Sequence, residues 1–122
     1  MPETILILDD DAQARDSLAI NLEDAGFIVD QVDNSEDALD HLKEHHADLV
    51  VVDLRLPGMD GPEFIQVAKK TWQTLKFIVY TGSPEFNMPT QLAVETNVSN
   101  AIFLKPLSDF EPMITEIQRM LK

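Results

Sequence analysis

The stretch Leu49-Val50-Val51-Val52-Asp53-Leu54-Arg55-Leu56-Pro57-Gly58-Met59-Asp60-Gly61 decides the fold class. Four apolar residues in a row, without alternation, read as a strand buried on both faces, which is how strands of parallel sheets read. An acid directly after such a run, followed by a Pro-Gly turn, places a carboxylate on the carboxyl edge of a sheet. Asp60 and Glu63 then match a capping-box pattern ahead of Phe64, Val67 and Ala68, so a helix follows the turn.

The same unit recurs along the chain. Apolar runs lie at Ile5–Leu8, Phe27–Val32, Leu49–Val52, Phe77–Tyr80 and Ala101–Leu104, starting 22, 22, 28 and 24 residues apart. Each interval has room for one helix. After the first run, Leu18, Leu22 and Ala25 form an apolar stripe, and Gly26 suits the left-handed position past a helix end. After the second, Ser35 is placed to cap a helix with the stripe Ala38, Leu39 and Leu42. After the fifth, Ser108 and Glu111 form a capping pattern before Phe110, Ile114, Ile117 and Leu121, with Pro112 in the first turn. Between the fourth and fifth runs, Pro84 and Pro89 interrupt the chain, so a long loop and a short helix over about 90–95 are expected. Repeated strand–helix units with right-handed crossovers imply a doubly wound parallel sheet in a three-layer sandwich.

With 122 residues, the chain is expected to form one domain over 1–122. Its net charge is −13, which argues against binding nucleic acid through a basic surface and disfavours an anionic membrane surface. The charge is uneven: residues 1–63 hold 17 of the 22 acids and 3 of the 9 bases. The absence of cysteine excludes a disulfide scaffold, a thiolate metal site and a thiol nucleophile. No signal-peptide pattern or run of transmembrane length is seen, and a cytoplasmic location is expected.

Ligands of open α/β sheets bind at the carboxyl ends of the strands. The residues there are Asp9, Asp10 and Asp11 after the first run, Asp53 after the third, Thr81-Gly82 after the fourth and Lys105-Pro106 after the fifth. Crowded carboxylates call for a hard divalent cation, and Mg²⁺, which keeps waters to exchange for substrate oxygens, suits them. With the cation, a phosphoryl group can approach an acidic pocket, one carboxylate can act as nucleophile, and a hydroxyl and a lysine can hold phosphoryl oxygens.

Leu8-Asp9-Asp10-Asp11 with Arg15, Val52–Gly61, Thr81-Gly82 and Lys105-Pro106 together resemble the response-regulator receiver domain of two-component signalling, a CheY-like superfamily. The resemblance spans essentially the whole chain, in order and spacing. It implies a flavodoxin-like five-stranded parallel sheet of order 2-1-3-4-5 with five helices. It implies that Asp53 accepts a phosphoryl group from a phosphohistidine of a sensor histidine kinase or phosphotransfer protein. Asp9, Asp10, Asp53 and the backbone carbonyl of Arg55 would hold Mg²⁺, with Asp10 the more direct ligand and Asp9 acting partly through water. Thr81 and Lys105 would hold phosphoryl oxygens, Gly82 would keep the approach open, and the Lys105–Pro106 peptide would be cis. Such a domain catalyses its own phosphorylation and dephosphorylation rather than turning over a free metabolite. A face built from the fourth and fifth helices would serve a fused or separate output partner, or a homodimer.

Two features depart from the family pattern: the region of the fourth helix lacks the usual Ala-Gly ending, and one strand position differs. Three residues before the lysine, where Tyr or Phe is frequent, stands Ile102; Phe103 follows and, by strand alternation, points to the opposite face. Both departures motivate an alternative, a receiver-like interaction module independent of phosphate, against which the full set of Asp9, Asp10, Asp53, Thr81 and Lys105 stands. A flavodoxin would need a Ser/Thr/Gly-rich loop where Asp9–Asp11 lie, and no Gly-Lys-Ser/Thr P-loop occurs. An Asp-nucleophile phosphohydrolase would carry its nucleophile after the first strand and a cap insertion.

Outside this set, Asp11 is expected to cap its helix and Arg15 to pair with an acid on the same helix. His41 and His45, four apart, could clamp a metal but read better as a solvated face. Trp72 is expected to pack at a helix end, and Met113 and Met120 to pack in the core or at its edge.

Overall fold

In a computed structural model, which describes residues 2–82 and 97–122, the chain runs β1 (Thr4–Leu8), α1 (Ala12–Asp24), β2 (Ile28–Val32), α2 (Ser35–Glu44), β3 (Leu49–Val52), α3 (Gly61–Thr71), β4 (Lys76–Thr81), β5 (Val98–Leu104) and α4 (Glu111–Met120). All strand pairings are parallel and the order is β2-β1-β3-β4-β5, as expected. Four helices lie among the described residues; the short helix expected over about 90–95 lies outside them.

The period-2 geometry of the strands sorts the core into two layers. Leu6, Leu8, Val50, Val52, Phe77 and Val79 face Ala38 and Leu42 of α2 and Phe64, Ile65 and Ala68 of α3. Their neighbours Ile5, Ile7, Leu49, Val51, Ile78 and Tyr80 face Leu18, Ala19 and Leu22 of α1 and Met113, Ile114 and Ile117 of α4. Both faces of β1, β3 and β4 are therefore covered, which explains their unbroken apolar runs. Edge strand β2 is less buried and carries Asp30 and Gln31.

The helix ends follow the local sequence signals at some positions and depart from them at others. Asp11 caps α1, accepting from Gln13 N at 3.1 Å and Ala14 N at 3.3 Å. At its other end Gly26 has φ +100°, Gly26 N–H donates to Glu23 O, and Phe27 N–H donates to Leu22 O, a Schellman closure. The buried stripe of α1 uses Ala19 in place of the expected Ala25, which is exposed at the cap. In α3, Ile65 takes the buried place expected for Val67, which is 37 % exposed.

Two expected caps are corrected. Asn34, not Ser35, caps α2, accepting from Asp37 N at 2.8 Å. Ser35 is the first helical residue; its buried hydroxyl donates to Met59 O at 2.8 Å and ties α2 to the loop after β3. Ser108 does not cap the helix: α4 begins two residues later than that pattern implied, with Phe110 at the cap position, and Asp109 accepts from Glu111 N at 3.0 Å. Asp60 does cap α3, accepting from Glu63 N at 3.0 Å. Trp72 ends α3 and packs against the α2–α3 core layer, Met113 is buried, and Met120 packs at the core edge.

Candidate functional site

The order β2-β1-β3 places the sheet's switch point between β1 and β3. Asp9 and Asp53 are the next residues after those strands, held by continued backbone pairing from Asp9 N to Val32 O and Asp53 N to Leu8 O. Thr81 ends β4, and Lys105 follows β5, its N–H bonded to Thr81 O. The fold thus gathers Asp9, Asp10, Asp53, Thr81 and Lys105 on one rim.

Asp53 is 6 % exposed, and each carboxylate oxygen has its own partner. Thr81 Oγ1 donates to Oδ1 at 2.8 Å and Arg55 N–H to the same atom at 3.2 Å. Lys105 Nζ donates to Oδ2 at 3.0 Å. The same ammonium lies 2.6 Å from Asp9 Oδ2, while Asp11 N–H donates to Asp9 Oδ1 at 2.9 Å. Burial raises the Asp9 carboxyl above its ordinary range against the pull of Lys105. Burial also works to lower the Lys105 ammonium, but its bonds to Asp9 and Asp53 outweigh that and hold it above 10.5.

Asp9, Asp10 and Asp53 each offer a carboxylate oxygen within 4.8 Å of the others, the one such cluster of three ligating residues among the described residues. Asp9 and Asp53 are buried and Asp10 is exposed, so the cluster opens to solvent on one side. An all-oxygen, three-carboxylate set fits a hard divalent cation such as Mg²⁺. A cleft of about 620 Å³ runs from these acids between α1 and the segment Lys105–Phe110.

Several expectations change here. Arg15 pairs with no acid of its helix; its Nη1 donates to the backbone carbonyl of Asp9 at 2.8 Å and its Nε to Gln31 Oε1 at 3.3 Å. It thereby fixes the chain at the first carboxylate. At Gly82 a Cβ would meet, among the described residues, the Lys105 side chain at 3.9 Å, an ordinary van der Waals contact. Gly61 is the demanding glycine: a Cβ would fall 2.4 Å from Asp53 O and 2.7 Å from Leu54 Cα. Its close approach is to the backbone of the acid-bearing turn rather than to a ligand. The Lys105–Pro106 peptide is cis, as expected.

His41 Nε2 lies 3.1 Å from Asp30 Oδ2, and its ring stacks on His45 with centroids 4.6 Å apart. The pair is not brought to the acidic rim. Ile102 is 46 % exposed on the side of the sheet opposite Phe103, which packs against the α1–α4 layer, so the expected alternation holds.

A doubly wound parallel sheet whose switch point holds three acids, a hydroxyl and an ammonium has the layout of a signalling receiver. The family model described as the response regulator receiver domain matches residues 5–118. The chain belongs to that family. It is 37 % identical over 107 residues to the transcriptional regulatory protein FixJ of Bradyrhizobium diazoefficiens, covering 86 % of this chain and 50 % of FixJ. It is 35 % identical over 78 residues to the two-component response regulator PhoP of Pseudomonas aeruginosa, covering 64 % of this chain and 35 % of PhoP. The chain therefore spans half or less of the length of these relatives. A CheY-like receiver domain from Methanospirillum hungatei superposes with TM-score 0.84 at 25 % identity, covering 99 % of this chain and 94 % of that one. The response regulator TrrA of Thermotoga maritima, solved with Mg²⁺ and beryllofluoride, gives TM-score 0.83 at 23 % identity, covering 98 % and 99 %. TrrA is also solved in complex with the histidine kinase ThkA. Among the described residues no helix is long and apolar enough to cross a membrane.

Proposed function

We propose that Asp53 is the phosphoacceptor of this receiver domain and takes the phosphoryl group of a phosphohistidine on a sensor kinase or phosphotransfer protein. The observation that carries this is the division of labour around one carboxylate: Thr81 on Oδ1, Lys105 on Oδ2, and Asp9 and Asp10 within ligating reach. In the transfer, an Asp53 oxygen attacks phosphorus, the O–P bond forms, and the P–N bond to the imidazole breaks. Thr81 and Lys105 are placed to follow the charge onto the transferred oxygens, the form of stabilisation phosphoryl transfer most needs. Asp9, Asp10, Asp53 and the Arg55 carbonyl would hold Mg²⁺, which would supply the positive charge that lets an anionic donor approach these acids.

The domain catalyses its own modification and its own hydrolysis, and works in the cytoplasm. The cleft beside α1 gives the donor histidine its approach. Output runs through the β5–α4 side and the 83–96 segment to a fused or separate partner or a second copy. Ile102 and Leu104, each 46 % exposed on one face of β5, form an apolar strip there. A phosphate-independent role is disfavoured by the full set of Asp9, Asp10, Asp53, Thr81 and Lys105 on one rim, since charge neutralisation alone would not call for the Thr81 hydroxyl and the exposed Asp10 as well.

The test is incubation with a small-molecule phosphodonor, with and without Mg²⁺, read by intact mass. One added phosphoryl group is expected in the wild type with Mg²⁺ and none in Asp53→Asn. An unmodified wild type, or equal modification of the variant, would overturn the assignment.

A further inference from the structure

Tyr80 is the only tyrosine of the chain and stands next to Thr81 in β4, 4 % exposed. An aliphatic side chain would fill a core position equally well, yet this ring makes three contacts that an aliphatic residue cannot. The Lys105 ammonium lies 5.8 Å from its centroid, within the range of a cation–π attraction. Its hydroxyl accepts from Leu107 N–H at 3.4 Å, just past the Lys105–Pro106 peptide. Phe110 meets it edge-to-face, centroids 6.2 Å apart at 78°. The ring thus touches the lysine charge itself, the backbone two residues beyond the lysine and the Phe110 ring that follows.

We propose that Tyr80 is a positioning residue for Lys105, holding the ammonium over the acid rim when its carboxylate partners are engaged elsewhere. This rests on the reading of Asp53 as phosphoacceptor. Lys105 has two anionic partners, Asp9 and Asp53. Each is also a candidate cation ligand, and Asp53 is the group that changes on phosphorylation. The ring is the neighbour whose attraction does not depend on either event. It keeps the ammonium within reach of a phosphoryl oxygen at the moment both carboxylates are otherwise occupied.

The test has two arms. In the first, phosphoramidate modifies the chain at saturating Mg²⁺ and the rate is read by intact mass. Tyr80→Leu is expected to be about fivefold slower and Tyr80→Phe within about twofold of wild type, the size of one partly desolvated cation–π contact. In a Lys105→Met background, Tyr80→Leu is expected to cause no further loss. Wild-type rates in Tyr80→Leu, or the same loss with Lys105 already removed, would overturn the proposal, because a packing defect persists without the lysine. The second arm needs no Tyr80 variant: the ring resonances of the single tyrosine are compared between wild type and Lys105→Met without donor. A shift on loss of the ammonium supports the contact, and unchanged resonances overturn it. If the wild type takes no phosphoryl group, the Asp53 assignment fails, while the resonance arm still reports on the Tyr80–Lys105 contact.

Discussion

The Lys105 ammonium stands 2.6 Å from Asp9 Oδ2 and 3.0 Å from Asp53 Oδ2, closer to the candidate metal ligand than to the candidate phosphoacceptor. It neutralises part of a buried acid cluster, so a cation and the lysine would draw on the same carboxylates. Lys105→Met is expected to cost about 2 kcal/mol of stability at neutral pH without divalent cation, since it leaves buried charge unpaired. Millimolar Mg²⁺ is expected to recover most of that loss through preferential binding to the folded state. Burial holds the Asp9 carboxyl above its ordinary range, and without the lysine it rises further. The folded state then binds the proton more tightly, so the deficit narrows as pH falls toward that raised value. Urea titrations with and without Mg²⁺ at two pH values check this; a variant as stable as wild type, or one blind to Mg²⁺, refutes it.

Gly61 and Gly82 both border the site, but only one lacks room for a methyl group. At Gly61 a Cβ would fall 2.4 Å from Asp53 O; at Gly82 the nearest atom among the described residues is Lys105 Cβ at 3.9 Å. Gly61→Ala is expected to cost about 2–3 kcal/mol by overpacking and to slow phosphorylation by shifting the Asp53 backbone. Gly82→Ala is expected to be neutral to within about 0.5 kcal/mol. Gly58, at φ +72°, falls between them, with a cost of about 1 kcal/mol for Gly58→Ala. Thermal unfolding of the three variants gives the order; equal melting temperatures for Gly61→Ala and Gly82→Ala would contradict it.

The sheet was legible because double-sided burial writes itself as uninterrupted apolar runs, and Asp53, Thr81 and Lys105 were legible because each sits at or directly after one of those runs. What escaped was bonding to the backbone. Spacing alone pairs Arg15 with an acid of its own helix, yet its Nη1 donates to the Asp9 carbonyl, and carbonyls leave no mark in a sequence. Ser35 looks the same whether it caps a helix or crosses to another loop, and only packing decides between the two. Ala19 and Ala25 differ by six residues, so the true stripe depended on where α1 turns toward the sheet. Tyr80 read as one more residue of a buried strand, because its contacts come from a loop about 25 residues away in sequence.

Asn34 and Ser35 stand side by side with different duties, so alanine at each should fail differently. Asn34→Ala removes the cap bond to Asp37 N–H and is expected to cost about 1 kcal/mol. Ser35→Ala leaves the Met59 carbonyl without its hydroxyl donor at a buried position, with a cost of about 1–2 kcal/mol. Because Ser35 tethers the loop that leads from Asp53 to α3, its loss is also expected to speed amide exchange in residues 56–60; Asn34→Ala should speed exchange only in the first turn of α2. Hydrogen exchange by mass spectrometry separates the two, and identical patterns would refute the division.

Glu116 on α4 joins the helix to β5: it accepts from the Ser99 hydroxyl and pairs with Arg119 Nε and Nη2, both at 2.7 Å. The Arg119 bond, opposed by burial and helped by Ser99, holds the Glu116 carboxyl below its ordinary value of 4.5. A carboxylate depressed in the folded state contributes stability that is complete above the unfolded value and is lost as pH falls through the folded one. Wild type should therefore lose more stability than Glu116→Gln between about pH 7 and about pH 3, by roughly 1 kcal/mol given how exposed the arginine is. Glutamine keeps an acceptor for Ser99 but has no charge to titrate, so the difference isolates ionisation from packing. High salt should shrink it, since screening weakens the arginine pair. Chemical denaturation across that pH range, at low and high salt, measures the difference; parallel acid limbs for the two proteins would show that Glu116 contributes nothing through its charge.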